Sequence, residues 1–196
     1  MADKKELIYK SGEKIFAQKG FKETNVSEIT RDAGIGVGTY YSYYDSKEEL
    51  FMEIYLDRNK KLKHKLMKNV DANGEPMEVI QSLMAQNYIA MMEDDILRQW
   101  YDRQAFMKVE EKYREEKGAD EVGFVYDIFY DIFAKWQKEG KVRSDIDTEL
   151  IMAMFGALIT IDTHKEEVGA KYFPEIMSRL AEFIINGLTI TKKEEE

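Results

Sequence analysis

The sequence predicts an all-α protein with a small amino-terminal helix-turn-helix region and a larger helical region after it. Only 2 of the 196 residues are proline, and the residues that favour helices, such as Ala, Glu, Lys, Leu and Met, are frequent. Two capping boxes, Asn25 with Glu28 and Ser46 with Glu49, mark helix starts on either side of a glycine-containing turn. The remaining chain repeats apolar residues at helical spacing, which favours helices throughout.

The first two predicted helices precede that turn. The first runs from Lys4 to Lys19 and ends at Gly20, and the second begins after Asn25 and ends at Gly34. A glycine at such a position can adopt the left-handed conformation that closes a last helical turn. The apolar stripe of the first helix consists of Leu7, Ile8, Ile15 and Phe16.

A third helix is predicted from Val37 to Tyr44, after a turn of Gly34, Ile35 and Gly36. Two short helices joined by a tight turn form a helix-turn-helix, and its second helix enters the major groove of DNA. This helix contains no Arg, Asn or Gln for bidentate contacts to bases. We therefore expect modest direct readout of base sequence.

The candidate DNA-binding residues are of three kinds. Glycines let the backbone approach DNA, methyl-bearing side chains can meet thymine methyl groups, and polar side chains can meet phosphates or base edges. A lysine in the first turn of the next helix would share one phosphate with the backbone amides there. The set is Asn25, Gly36, Val37, Gly38, Thr39, Tyr41, Ser42, Tyr43 and Lys47. Core packing is the alternative role for Tyr41 and Tyr43.

The chain after residue 46 is predicted to be helical, with its clearest break at Asp71–Pro76. Apolar spacing and stop signals set the expected bounds. The predicted helices are Lys47 to about Val70, Met77 to Met92, Ile96 to about Lys117, Glu121 to Lys138, Leu150 to about Thr163, and Pro174 to Leu188. The Glu121–Lys138 helix is apolar on nearly every face, which predicts a buried central helix.

Asp127 and Asp131 interrupt that apolar helix one turn apart. In one interpretation they contribute to a pocket for a lipophilic cation, through charge pairing and cation–π contact. The other pocket residues would be Trp100, Tyr126, Tyr130 and Phe133. In the alternative interpretation the two carboxylates pair with Arg98, Arg103 or a tyrosine hydroxyl, or face solvent.

A set of residues in the amino-terminal quarter of the chain has a distinctive order and spacing: Ile8, Ala17, Gly20-Phe21, Val26, Ile29, Ala33-Gly34, Gly38-Thr39, Tyr41, Tyr43-Tyr44 and Ser46–Leu50. In these residues the chain resembles the DNA-binding domain of TetR-family transcriptional regulators. The chain departs from the family at Gly36-Val37, where the family often has Ser-Lys, so one phosphate-binding lysine is missing. The resemblance also implies that Tyr40 and Tyr44 pack in the core.

The resemblance implies two domains, a helix-turn-helix domain of residues 1–46 and a helical ligand-binding and dimerisation domain of residues 47–196. In the family, the helices at Leu150–Thr163 and Pro174–Leu188 pair with their symmetry mates as a four-helix dimer interface. From the residues alone, either helix could equally close the core of the monomer.

Composition narrows the class of protein. The net charge of −9 argues against nonspecific coating of nucleic acid, although a site-specific dimer needs only a local positive surface. The chain has no cysteine and therefore no disulfide or thiolate site. Its charged start lacks the apolar core of a signal peptide, and no apolar run approaches a membrane span. We expect a cytoplasmic protein that does not enter a membrane.

Taken with these features, the resemblance implies a homodimeric repressor that would bind a palindromic double-stranded DNA operator. Its half-sites would lie one helical turn, ~34–36 Å, apart or somewhat further. A small hydrophobic inducer, such as a lipophilic cation, would release the DNA, and no cofactor is expected. An enzyme is disfavoured because the sequence offers few groups for catalysis. It has two histidines, His64 and His164, and no coherent cluster of metal-binding residues. A helical interaction module that does not bind DNA is the alternative.

Overall fold

The computed structural model describes residues 3–102, 123–173 and 175–190. In these ranges the regular structure is helical, apart from an isolated bridge between Val142 and Thr189, so the predicted all-α class is confirmed. The α-helices are α1 (Lys4–Glu23), α2 (Val26–Asp32), α3 (Val37–Tyr40), α4 (Lys47–Met67), α5 (Pro76–Glu93), α6 (Gly123–Lys138), α7 (Thr148–Thr163), α8 (Lys165–Val168) and α9 (Glu175–Leu188). Short 3-10 segments lie at Leu97–Tyr101 and Ala170–Tyr172.

Helix α1 begins and bends at the residues that the sequence marks. The Asp3 carboxylate accepts a hydrogen bond from the backbone N–H of Lys5 at 3.0 Å and caps the first turn. Gly20, predicted to end the helix, has φ 80° and produces a kink, after which helical geometry continues to Glu23. A side chain at this φ would be strained, which explains why glycine stands at the kink.

The helix-turn-helix starts as predicted but its second helix is shorter. The Asn25 side chain accepts from the backbone N–H of Glu28 at 3.0 Å and caps α2. Gly34 has φ 67°, as the left-handed closing residue should. The prediction that α3 continues to Tyr44 is wrong, since α3 ends at Tyr40. Beyond it the bonds Ser42 N–H to Thr39 and Tyr43 N–H to Tyr40 tighten the backbone into turns.

Helix α4 begins at Lys47 as predicted and ends at Met67, a few residues before Val70. The Ser46 hydroxyl accepts from the backbone N–H of Glu49 at 3.1 Å. The Glu49 carboxylate accepts from the backbone N–H of Asp45 at 2.6 Å, one residue earlier than in a standard capping box. The start of α4 therefore fixes the loop that follows α3.

The described residues form two compact units. Unit 1 contains residues 3–62 and 89–102, and unit 2 contains residues 63–88, 123–173 and 175–190. The first break between units falls inside α4, whereas the predicted domain boundary lies after residue 46; that boundary is a division by function and stays a prediction. In unit 1, the rings of Phe16, Phe21 and Phe51 pack with centroids 5.1–6.1 Å apart and hold α1 against α4.

Unit 2 has its own core, which contains the buried side chains Val79, Ile80, Ile132, Phe133, Trp136, Val142, Ile151, Met152, Leu158, Ala181, Ile185 and Leu188. The predicted break at Asp71–Pro76 is confirmed as a turn, in which the Asp71 carboxylate accepts from the backbone N–H of Asn73 at 2.9 Å. The prediction that the Glu121–Lys138 helix is buried is wrong. Its described part, α6, has one apolar face inward, and Tyr126, Asp127, Tyr130 and Asp131 are exposed.

The later predicted helices are found with small shifts. Helix α7 begins at Thr148, where the Asp147 carboxylate accepts from the backbone N–H of Glu149 at 2.7 Å, and it ends at Thr163. Helix α9 occupies Glu175–Leu188, and the predicted start at Pro174 lies outside the described residues. The prediction of one continuous helix from Ile96 to Lys117 is wrong in its described part, where a short 3-10 segment at Leu97–Tyr101 ends at Asp102, whose backbone is extended; the rest lies outside the described residues. None of the helices in the described ranges has the length and apolarity that a membrane span requires.

Candidate DNA-binding surface

One side of α3 and of the turn after it is open to solvent. Val37 is 44% exposed, Tyr41 52% and Tyr43 40%, which are high fractions for such large side chains. Gly36, Gly38 and Ser42 are exposed between them, and Thr39 is half-buried. A Cβ atom added at Gly36 or Gly38 would meet no atom within 4 Å. Packing within the chain therefore does not require glycine there, and the surface is free to approach another molecule.

The neighbouring tyrosines point into unit 1 and anchor this surface. Tyr40 and Tyr44 are buried with ring centroids 5.8 Å apart, which confirms their predicted core positions. The Tyr40 hydroxyl donates to the backbone carbonyl of Ser46 at 3.0 Å and ties α3 to the start of α4. Burial raises the pKa of Tyr40 and of Tyr44 far above the ordinary value, so both hydroxyls stay neutral.

Lys47 is positioned by the loop between α1 and α2. Its ammonium donates to the backbone carbonyls of Phe21 at 2.8 Å and Thr24 at 2.7 Å. It also lies 4.3 Å from the centroid of the Phe21 ring, a cation–π distance. Two of its three N–H donors are used by these carbonyls, so at most one could reach a DNA phosphate in this conformation. In this conformation the lysine holds the loop that precedes α2.

Gln99 supports the same loop, and sequence reasoning missed it. The kink at Gly20 leaves the backbone N–H of Phe21 without a helical partner, and the Gln99 side-chain oxygen accepts from it at 2.6 Å. The Gln99 amide nitrogen donates to the carbonyl of Asp95 at 2.8 Å, so this buried side chain is satisfied at both ends. Nothing in the sequence signals a bond between residues 78 positions apart.

Charges around α2 are largely paired within the chain. The Lys14 ammonium lies 2.6 Å from the Asp32 carboxylate, and Lys19 binds Glu28. The hydrogen bond from Lys19 lowers the pKa of Glu28, and the bond from Lys14 lowers that of Asp32. These pairs reduce the positive charge available to phosphates.

The residues predicted to form a cation pocket are divided between the two units, and they differ in burial. Trp100 is buried in the core of unit 1, where its ring stacks on Tyr55 with centroids 5.4 Å apart. In unit 2, Phe133 is buried against Trp136, while Asp127 and Asp131 are exposed. Solvent exposure of the two carboxylates agrees with the alternative interpretation. Arg98 pairs with Asp95 at 2.9 Å, and Arg103 lies outside the described residues.

Helices α7 and α9 pack on each other in unit 2 and leave an apolar face uncovered. On α9, Phe183 is 65% exposed. On α7, Leu150 and Ile159 are exposed beside small residues that would permit close approach of another helix. These small exposed residues are Ala153, Gly156, Ala157 and Thr160.

The chain is similar to known regulators in sequence. A family model described as bacterial regulatory proteins, tetR family, matches residues 8–54. YhgD of Bacillus subtilis, an uncharacterized HTH-type transcriptional regulator, is 40% identical over 63 residues, which are 32% of this chain and 33% of YhgD. The HTH-type transcriptional repressor KstR2 of Mycolicibacterium smegmatis is 23% identical over 158 residues, which are 76% of this chain and 73% of KstR2.

The chain is also similar in fold to solved structures. The transcriptional regulator FadR from Bacillus subtilis, crystallised in complex with stearoyl-CoA, has a TM-score of 0.57 and 16% identity. The alignment covers 92% of this chain and 97% of FadR. The likeness in fold therefore reaches beyond residues 8–54. It includes the helix-turn-helix and the larger helical domain that follows it.

Proposed function

We propose that this chain, whose residues 8–54 belong to the tetR family of bacterial regulatory proteins, is a DNA-binding transcriptional regulator that acts as a repressor. The observation that carries the proposal is the open side of α3, where Val37, Tyr41 and Tyr43 are exposed while Tyr40 and Tyr44 hold the helix in place. KstR2 is named as a transcriptional repressor, which supports repression over activation for this chain.

The exposed surface would enter the major groove of a palindromic operator. Gly36 and Gly38 would allow the backbone to approach, Val37 and Thr39 would contact thymine methyl groups, and the hydroxyls of the exposed turn would bind phosphates or base edges. Those hydroxyls belong to Tyr41, Ser42 and Tyr43. Asn25, at the start of α2, would contact the DNA. Lys47 would contribute by positioning the loop before α2.

A small molecule bound in the larger helical domain would release the DNA. The fold likeness to a regulator crystallised with stearoyl-CoA supports the existence of such a ligand. The ligand would favour a conformation in which the two recognition helices no longer match the operator. Couplings of about 1–3 kcal/mol between two sites are typical, so the change in conformation can be small.

The Tyr41→Ala variant tests the DNA-binding surface. We expect its affinity for a duplex selected by the wild-type protein to fall roughly 10-fold, because a polar contact to DNA contributes about 1–3 kcal/mol. Its free energy of unfolding should change by less than about 0.5 kcal/mol, since the side chain is exposed. Fluorescence anisotropy at two salt concentrations and urea unfolding measure the two quantities.

The matched control is Tyr172→Ala, which removes another exposed tyrosine, in unit 2. Its DNA affinity should equal that of the wild type. If the wild-type protein shows no salt-sensitive binding, either to the DNA beside its own gene or after selection from a random-sequence pool, the regulator proposal is wrong. The chain would then be better explained as a helical interaction module.

The uncovered face of α7 and α9 would form the homodimer interface, through Leu150–Thr163 and Pro174–Leu188. Phe183→Glu, which places a charge in this face, should convert the protein to a monomer in sedimentation velocity. It should also weaken operator binding by roughly 100-fold, because two linked half-site contacts become one. Ile89→Glu is the control, since Ile89 is 54% exposed on α5. An unchanged mass for Phe183→Glu would exclude this interface.

A further inference from the structure

Lys63, on α4, carries an ammonium group that the protein only partly satisfies. It donates to the side-chain oxygen of Asn87 on α5 at 2.5 Å. An ammonium has three N–H donors, so two remain for another acceptor. The ion pairs found within the described part of the chain do not include Lys63; Asp162 on α7 acts on it through its charge alone.

A leucine stands one helical turn from each of the three polar residues: Leu66 from Lys63 on α4, Leu83 from Asn87 on α5, and Leu158 from Asp162 on α7. Leu66 and Leu158 are buried, and Leu83 is partly buried. Loss of hydration lowers the pKa of Lys63 to about 8, and the charge of Asp162 opposes this shift only in part. Lys63 is partly buried, and unused donors on a partly desolvated ammonium favour a ligand that would complete its hydrogen bonds.

The Lys63 ammonium is positive, whereas the predicted pocket for a cation relied on two carboxylates. A ligand that pairs with Lys63 would therefore be an anion. Asp127 and Asp131, which would have attracted a cation, lie in solvent. We propose that Lys63 is the binding group for an organic anion, whose carboxylate or phosphate accepts from the ammonium beside Asn87 while its apolar body contacts the neighbouring leucines. This assignment rests on the proposed function, because the anion would be the ligand that releases the DNA.

A set of amphiphiles with one tail and different head groups tests this assignment. Decanoate, decyl phosphate, decanol and decyltrimethylammonium, each below its micelle concentration, are titrated into the full chain by calorimetry. We expect the two anions to bind and the alcohol and the cation to bind at least 10-fold more weakly, because charge-assisted hydrogen bonds form only with the anions. The preferred anion distinguishes a carboxylate ligand from a phosphate ligand.

Lys63→Met is expected to weaken binding of the preferred anion roughly 10-fold or more. The variant should also melt at a higher temperature than the wild type without ligand, because methionine needs no hydration. This melting measurement shows independently that the variant folds. The matched control is Lys65→Met, which removes an exposed lysine from the same helix and should leave anion binding unchanged.

Equal anion binding by Lys63→Met and the wild type would overturn the assignment, as would tighter binding of decyltrimethylammonium than of either anion. Absence of anion binding to the wild type would also overturn it. Binding of operator DNA by the ligand-free protein is measured separately. DNA binding without anion binding contradicts only the role of Lys63, whereas absence of DNA binding contradicts the proposed function itself.

Discussion

Lys47→Met is expected to lower the free energy of unfolding by roughly 2 kcal/mol and to leave the salt dependence of DNA binding unchanged. The variant loses the charge-assisted hydrogen bonds to the carbonyls of Phe21 and Thr24 and the contact with the Phe21 ring. Affinity for the operator should fall because the loop before α2 loosens. Urea unfolding gives the stability, and affinity measured over a range of salt gives the slope.

The salt slope separates the two roles that Lys47 can have. Each phosphate contact contributes about 0.9 to the slope of the logarithm of affinity against that of salt concentration. A slope reduced by this amount with unchanged stability would show that Lys47 contacts a phosphate, as the sequence predicts, and would contradict the structural role. Lys10→Met is the control, since Lys10 is exposed and, among the described residues, forms its ion pair with Glu6 one turn away.

Trp136→Ala should produce the largest loss of stability, about 3–5 kcal/mol, because it opens a cavity in the core of unit 2. The Trp136 side chain is fully buried, packs edge-on against Phe133 with centroids 5.3 Å apart, and donates to the carbonyl of Ala72 at 3.2 Å. This hydrogen bond also fixes the turn between α4 and α5. Calorimetric unfolding and urea titration measure the effect.

Trp136→Phe is the matched control for that substitution. It retains most of the buried ring and loses the hydrogen bond, so we expect a loss of about 1–2 kcal/mol. A loss below about 1 kcal/mol for Trp136→Ala would show that the core of unit 2 collapses around the vacancy. It would contradict the close packing that the structure shows for Phe133 and Trp136.

The lower stability of such variants need not affect the DNA-binding surface directly. That surface is built from unit 1, where the Tyr40 hydroxyl and the rings of Phe16, Phe21 and Phe51 hold the helix-turn-helix. Comparing operator binding by Trp136→Phe and Lys47→Met at equal stability therefore distinguishes a general loss of folded protein from a local displacement of α2 and α3.

Local features of the fold could be predicted because their causes lie within one helical turn. Asn25 caps α2 and Ser46 caps α4, each by a bond to a backbone N–H three residues later. The positive φ of Gly34 follows from its position at a helix end. Such interactions join residues within one helical turn, so a sequence pattern is enough to predict them.

The exposure of a helix face could not be predicted in the same way. Helix α6 is apolar on most sides, yet Tyr126 and Tyr130 face solvent with Asp127 and Asp131. Burial depends on which other elements reach a face, and periodicity does not record this. The same limit applies to α3, which ends at Tyr40 although the sequence pattern predicts a helix to Tyr44.

The sequence by itself determined the helical class and the starts of α2 and α4, and its resemblance to the family implied that Tyr40 and Tyr44 are buried. Only the tertiary structure decided the partners of Gln99, Lys47 and Lys63. Each of these side chains bonds to a group 23 to 78 positions away in the chain. Such bonds form only after folding has closed the intervening chain and removed water from the polar groups, which makes their partners a property of packing and not of local sequence.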